Sequence, residues 1–431
     1  MKFISVRGEA AAAGFREALL QGIAPDGGLY VPESGPRLPE EFLRNLPGFS
    51  FHEIARTVLA SFIDDIPGAD LRGIVERSLN FPIPLVRIDE DRFLLELFHG
   101  PTLAFKDVGA RFMAEALSWF LEKEGGSLTI LVATSGDTGG AVASGFFNVP
   151  RLDVFIFYPS GRISELQEKQ MTTLGGNIHP VEVEGTFDDC QRMVKEALAD
   201  GEIRRRRRLS TANSINPGRL LPQITYYVWA LAQWKRSEDR GRTDPAVVVP
   251  SGNFGNLTAA VYAARMGVQI ARLVAATNAN DVVPEYLRTG SFTPRPSIST
   301  LSNAMDVGDP SNLSRLQHLS GNDLNQLRAL IEPQVVSDEE TLNEIRQTYE
   351  QSGRIIDPHT AVGMAAARRT PGMKIIAATA HPAKFPEVIQ RAISATPGPP
   401  PSLKEAMGRP TVSIRIPVSA EAVKEILLSG V

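Results

Sequence analysis

The chain has 431 residues, 43% of them hydrophobic, a net charge of −4 with histidine neutral, and a single cysteine, Cys190. That length supports a sizeable core over roughly two or three domains. The lone cysteine excludes an internal disulfide framework and any multi-cysteine zinc site, and the mild negative charge offers no global field for nucleic acid or an anionic membrane.

At the N-terminus, MKFISVRGEAAAAGF is interrupted by Arg7 and Glu9 and lacks the unbroken apolar core of a signal peptide. No segment approaches the roughly 18 apolar residues of a membrane span, so a cytoplasmic protein with no membrane partner is expected. Residues 99–107 read HGPTLAFKD, which sets Lys106 between an apolar run and Asp107. Ala110, Met113, Ala114, Leu117, Phe120 and Leu121 follow at helical spacing, so a helix packed on a core should begin near Asp107. An ammonium there meets the positive end of the helix dipole, and desolvation by Leu103 and Phe105 pushes the same way, lowering its pKa. Lys106 is thereby a candidate amine nucleophile, the alternative being a lysine that pairs with Asp107 or reaches to solvent.

From Leu128 to Pro250, apolar runs alternate with helical patterns, which argues for βα units, mainly parallel sheets and flanking helices. LTILVAT, DVFIFYP, AVVVP, ARLVAATN and MKIIAATA read as strands; 186–199, 219–235, 257–266 and 338–351 read as helices. Arg204–Arg208 form a run of consecutive arginines without aromatic neighbours, which favours a solvated face over nucleic-acid contact. Three places share one design of strand, small-residue loop and helix: Thr134–Gly140, Ser251–Asn256, and the segment where Thr379 ends a strand. Such loops can hold phosphate or carboxylate on backbone amides at a helix N-terminus, or can be ordinary βα turns. Neither a G-x-G-x-x-G nor a P-loop pattern occurs, and the histidines are scattered without H-E-x-x-H, so no metal site is expected. His99, His359 and His381 read as packing or hydrogen-bonding residues. PGPPPS, 397–402, reads as a linker to a terminal helix, AEAVKEILLSG. An amine nucleophile beside anion-holding loops on an α/β sheet suggests a phosphate-bearing aldehyde, and pyridoxal phosphate fits that description.

With those residues in place, the chain resembles the threonine synthases, fold type II pyridoxal-phosphate enzymes of tryptophan synthase β-like architecture. The matching stretches are VRGEAAAAGFREALLQGIAPDGGLYVPE, HGPTLAFKDVGARF, ATSGDTGGAVA, SGRISELQEKQMTTLGGN, NSINPGRLLPQ, PSGNFGN, DPHTAVG and ATAHPAKFPEVI, in that order over nearly the whole length. The resemblance implies conversion of O-phosphohomoserine and water to threonine and phosphate, the last step of threonine biosynthesis, by a monomer or homodimer. It implies Lys106 as the Schiff-base lysine; Gly252, Asn253, Phe254, Gly255 and Asn256 as the cofactor-phosphate loop; and Thr379 facing the pyridine nitrogen. Thr134, Ser135, Gly136 and Thr138 would take the substrate carboxylate, with Asp137 near the cofactor's phenolic oxygen, where many related enzymes carry Asn. Arg162, Lys169 and Arg219 are the candidate cations for the substrate phosphate. The implied organisation is a larger domain formed by 1–104 and 211–396, a smaller α/β domain at 105–210, and a Pro-rich linker with a C-terminal segment at 397–431. Two other readings stay open: another lyase of the same fold, such as a threonine or serine dehydratase, and an inactive homologue that binds a metabolite or RNA.

Overall fold

The computed structural model describes residues 1–241 and 243–429. The apolar runs are strands covered on both faces: Leu128–Ala133 and Ala246–Pro250 are buried at every residue, as parallel strands under crossover helices must be. They divide between two sheets. The six-stranded sheet has the spatial order Glu332–Val335, Arg272–Thr277, Ala246–Pro250, Lys374–Ala378, Arg92–Glu96, Leu85–Arg87, parallel except for the last pair. The five-stranded sheet is parallel throughout, in the order Ile414–Ile416, Ile178–Val183, Leu152–Pro159, Leu128–Ala133, Leu209–Thr211. A small antiparallel ribbon pairs Phe3–Ser5 with Tyr30–Pro32.

The expected helices form as Lys106–Glu124, Phe187–Ala199, Pro217–Arg236, Gly255–Arg265 and Asp338–Ser352. Several starts are set by reciprocal capping boxes, in which Ser164 pairs with Gln167, Thr186 with Asp189, and Ser337 with Glu340. Helix Pro217–Arg236, buried over most of its length, lies against helix Lys106–Glu124. Gly109 permits that approach, since a Cβ there would sit 2.5 Å from the Arg219 carbonyl oxygen. Among the described residues no helix is long and apolar enough to cross a membrane.

The segment 397–431, expected as a Pro-rich linker leading to a terminal helix, does end in helix Ala420–Leu428 and also packs onto the rest of the fold; its last two residues lie outside the described residues. Pro401–Met407 is a helix with proline at its start, and Leu403 is fully buried against Leu103 and Ala383. Ile414–Ile416 then adds an edge strand beside Ile178–Val183, and helix Ala420–Leu428 packs Val423 and Leu427 into the core that holds Cys190. The smaller sheet is accordingly discontinuous in sequence.

Candidate functional site

Three neighbouring parallel strands deliver the site. Ala246–Pro250, Lys374–Ala378 and Arg92–Glu96 lie side by side, so the loops after their C-terminal ends emerge together: 251–256, the turn at Thr379, and the stretch leading to Lys106. The last two are stitched by backbone hydrogen bonds from Leu97 N to Ala378 O (2.9 Å), Phe105 N to Thr379 O (2.9 Å) and His381 N to Leu103 O (3.0 Å). From the smaller sheet, strand Leu128–Ala133 contributes the 134–138 loop to the same cavity. Such crevices at the carboxyl ends of parallel strands are where α/β proteins bind ligands.

Lys106 lines this cavity as the first residue of its helix, with 14% of its side chain exposed. Burial pushes its amine down from the usual 10.5 to about 8; the Asp137 carboxylate, 3.9 Å away, pulls upward, and Lys384 and Arg219 push down. Asp107 is not its partner: both Asp107 oxygens accept from Thr102, from the backbone N–H at 2.9 Å and from the hydroxyl at 2.6 Å. Burial alone would raise the Asp137 carboxyl, but Lys384, Lys106 and His359 outweigh it and hold it well below the usual carboxylate range. Lys384 Nζ lies 2.6 Å from Asp137 Oδ1, and Gln167 Nε2 donates to the same oxygen at 3.0 Å.

The opposite wall is the 251–256 loop. Phe254 adopts the left-handed conformation with φ 60°, as does Leu103 ahead of Lys106, so non-glycine backbone strain flanks the site on both sides. Asn256 Oδ1 accepts from Tyr226 (2.5 Å) and Tyr227 (2.6 Å), while its Nδ2 is buried with no partner among the described residues. Arg219 is buried and makes no salt bridge among the described residues; Nη1 donates to the Ala212 carbonyl and Nε has no partner. Burial pushes this guanidinium down to about 10, still cationic at neutral pH, with distant support from Asp107. A lysine amine, a loop of backbone amides opening helix Gly255–Arg265, and two buried donors without acceptors fit an aldehyde that carries phosphate.

Of the residues singled out in the sequence, Lys106, Thr134, Ser135, Asp137, Thr138, Arg219, Gly252, Asn253, Phe254, Gly255, Asn256 and Thr379 all line the one cavity. Gly136 does not; at φ 132° it makes the turn, and Thr134 Oγ1 accepts from the N–H groups of Gly136 (2.9 Å) and Gly139 (2.8 Å). The Asn253 side chain likewise holds the frame, donating to Ser214 Oγ at 2.7 Å and accepting from Ser311 N at 2.7 Å. Arg162 and Lys169 are outside the lining: Arg162 is exposed on the turn after Pro159, and Lys169 Nζ donates to the Arg409 carbonyl at 3.2 Å. Of the arginine run, Arg207 pairs with Asp153 (3.4 Å), Arg208 with Glu124 (3.7 Å) and Arg206 with Glu202 (3.7 Å).

The sequence does not single out Lys384, Gln167 or Asn213, whereas His359, expected as a packing or hydrogen-bonding residue, is hydrogen-bonded here. Lys384 and Gln167 were legible only as members of HPAKFP and of the S-x-x-Q cap in SELQ. Asn213 brackets Ala133 with two hydrogen bonds, at 3.1 and 2.7 Å, and so fixes the end of the strand ahead of the 134–138 loop. His359 lies between Asp357 Oδ2 (2.7 Å from Nδ1) and the Ala304 N–H, which donates to Nε2 at 3.1 Å, so the ring ties the start of its helix to the loop at Ala304.

Comparison with known proteins places this geometry. The family described as pyridoxal-phosphate dependent enzyme matches residues 79–377, the threonine synthase N terminus matches 2–79 and the threonine synthase C-terminal family matches 360–427. Threonine synthase from Haemophilus influenzae is 44% identical over 384 residues, 88% of each chain. The crystal structure of threonine synthase from Escherichia coli superposes with a TM-score of 0.94 at 40% identity over 100% of both chains. That of pyridoxal-phosphate-bound threonine synthase from Brucella melitensis superposes with a TM-score of 0.91 at 37% identity, covering 99% of this chain and 98% of the other.

Proposed function

The chain belongs to the threonine synthase family of pyridoxal-phosphate-dependent enzymes, and from that premise we propose which of its groups convert O-phospho-L-homoserine and water to L-threonine and phosphate. Lys106 Nζ would hold the cofactor aldehyde, the Gly252–Asn256 loop with Asn256 Nδ2 its phosphate, and Thr379 its ring nitrogen, through a neutral hydroxyl. When bound, pyridoxal phosphate supplies an electron sink for a carbanion at the substrate α-carbon.

The remaining work falls to side chains and backbone. With its amine near pH 8, Lys106 is poised to take a proton at Nζ and return it at neutral to mildly alkaline pH. The 134–138 loop, at the start of helix Asp137–Phe146, would offer backbone N–H groups to the substrate carboxylate. Arg219 is the cation best suited to the leaving phosphate, because it lines the cavity and has no carboxylate partner among the described residues. A small-molecule substrate, no nucleic-acid partner and a cytoplasmic setting accord with the mild net charge and the single, buried, free cysteine.

The observation that carries this reading is the meeting of the depressed Lys106 amine with Asn256, Arg219 and the Gly252–Asn256 loop in the lining of one cavity. Borohydride reduction of the loaded enzyme should fix the cofactor to the peptide containing Lys106, and Lys106→Ala should abolish phosphate release while retaining some non-covalent cofactor. In the cofactor-free chain, covalent capture of pyridoxal phosphate should rise with pH through about 8, earlier than for a free lysine near 10.5. Labelling at a different lysine would overturn the assignment.

A further inference from the structure

Lys384 is a buried lysine that no step above uses. It ends the short turn Pro382–Lys384, whose start is capped by His381 Nδ1 accepting from Ala383 N at 3.1 Å. Its side chain is 0% exposed, and its ammonium has two partners, the Asp137 carboxylate at 2.6 Å and the Thr102 carbonyl at 3.0 Å. The same carbonyl also accepts from Gln170 Nε2 at 3.2 Å, so the loop leading to Lys106 is held from two directions. A fully buried ammonium is costly unless it is paired and hydrogen-bonded, which makes this arrangement one that either partner's removal would disrupt.

The division of labour between the two Asp137 oxygens is informative. Oδ1 takes both Lys384 and Gln167, which fixes the plane of the carboxylate; Oδ2 is the oxygen that faces Lys106 at 3.9 Å. We propose that Lys384 is a positioning residue of the catalytic site, clamping Asp137 through Oδ1 so that Oδ2 stays aimed at Lys106 while the buried negative charge is balanced. The proposal rests on the reading of Lys106 as the cofactor-bearing amine.

Charge balance is the physical point. Lys106 sees Asp137 from helix Asp137–Phe146, Lys384 from the turn after strand Lys374–Ala378, and Arg219 from helix Pro217–Arg236; Asp137 also faces His359 from helix Pro358–Arg368. Without Lys384, Asp137 would act on Lys106 undiluted and the repulsion from Lys384 would vanish. Both changes favour the protonated amine. Removing Asp137 while keeping Lys384 does the reverse, and removing both returns Lys106 to an intermediate state.

The test is the pH midpoint for covalent capture of pyridoxal phosphate by the full-length, cofactor-free chain, followed by absorbance and by mapping the reduced adduct. Lys384→Met should raise the midpoint by about one pH unit, a tenfold slower capture at fixed pH below it, and lower kcat more than it changes KM. Asp137→Asn should lower the midpoint, and Asp137→Asn with Lys384→Met should fall between the two single variants. If Lys384→Met alone fails to fold because it strands a buried carboxylate, adding it to Asp137→Asn must still raise the midpoint. A folded Lys384→Met with the parent's midpoint and the parent's kcat would overturn the proposal. Adducts that map away from Lys106 would instead overturn the reading on which it rests.

Discussion

Arg219 is a buried guanidinium without a carboxylate partner among the described residues, and at the residue scale that explains more than its charge does. A donor that is desolvated and unpaired in the free protein has already lost its water, so an anion that reaches it gains a charge-assisted hydrogen bond at little further cost. Arg219→Gln should therefore lower phosphate release from O-phosphohomoserine at least about tenfold, about 1.4 kcal/mol in the barrier. Arg162→Ala, at an exposed turn outside the cavity, should stay within about twofold of the parent. Steady-state phosphate release measures both, and parity between the two variants would remove Arg219 from the phosphate site. Lys106 was legible in the sequence because an apolar run and a helix start sit beside it within a few residues. The choice among Arg162, Lys169 and Arg219 was not, because nothing local distinguishes an arginine that faces a cavity from one that faces solvent.

At the scale of elements, the site depends on how closely two helices approach. Helix Lys106–Glu124 presents Gly109 to helix Pro217–Arg236, and the nearest atoms to a Cβ there would be the Arg219 carbonyl oxygen at 2.5 Å and Nε at 3.1 Å. Backbone at that distance cannot give way as a flexible side chain could, so Gly109→Ala must separate the helices that carry Lys106 and Arg219. A loss of about 1–3 kcal/mol is expected from such overpacking, read by urea unfolding, with turnover falling by more than stability alone explains. Unchanged stability and rate would mean that the two helices are not held at this point. The helices expected near 106 and at 186–199, 219–235, 257–266 and 338–351 were readable from residue order because 3.6-residue periodicity is a property of neighbouring residues, while helix Glu165–Thr172 with its S-x-x-Q cap was not singled out.

For the whole molecule, the last stretch of chain ties the parts together. It lays Leu403 on Leu103 and Ala383, next to the loops that hold Lys106 and Lys384, and closes the five-stranded sheet with Ile414–Ile416. A chain ending at Thr396 should melt at lower temperature, aggregate through the uncovered edge of Ile178–Val183, and label Cys190 with thiol reagents far faster than the full chain does. Cys190 is now fully buried, and burial pushes its thiol up to about 12; slow labelling of the truncated chain would show that the segment is dispensable. Residue order by itself determined the buried parallel strands, the glycine and hydroxyl loops that follow them, the amine at a helix start and, through a chain of matching motifs, the family. All of these are recorded within runs of some ten residues, where hydrophobic period, turn chemistry and capping act. Only the tertiary structure decided that Lys384 neutralises Asp137, that Arg219 and not Arg162 faces the cavity, and that the C-terminal segment belongs to the smaller sheet. The physical reason is that these depend on which strands become neighbours and which buried charges then meet, and segments distant in sequence are brought into contact only when the sheets assemble.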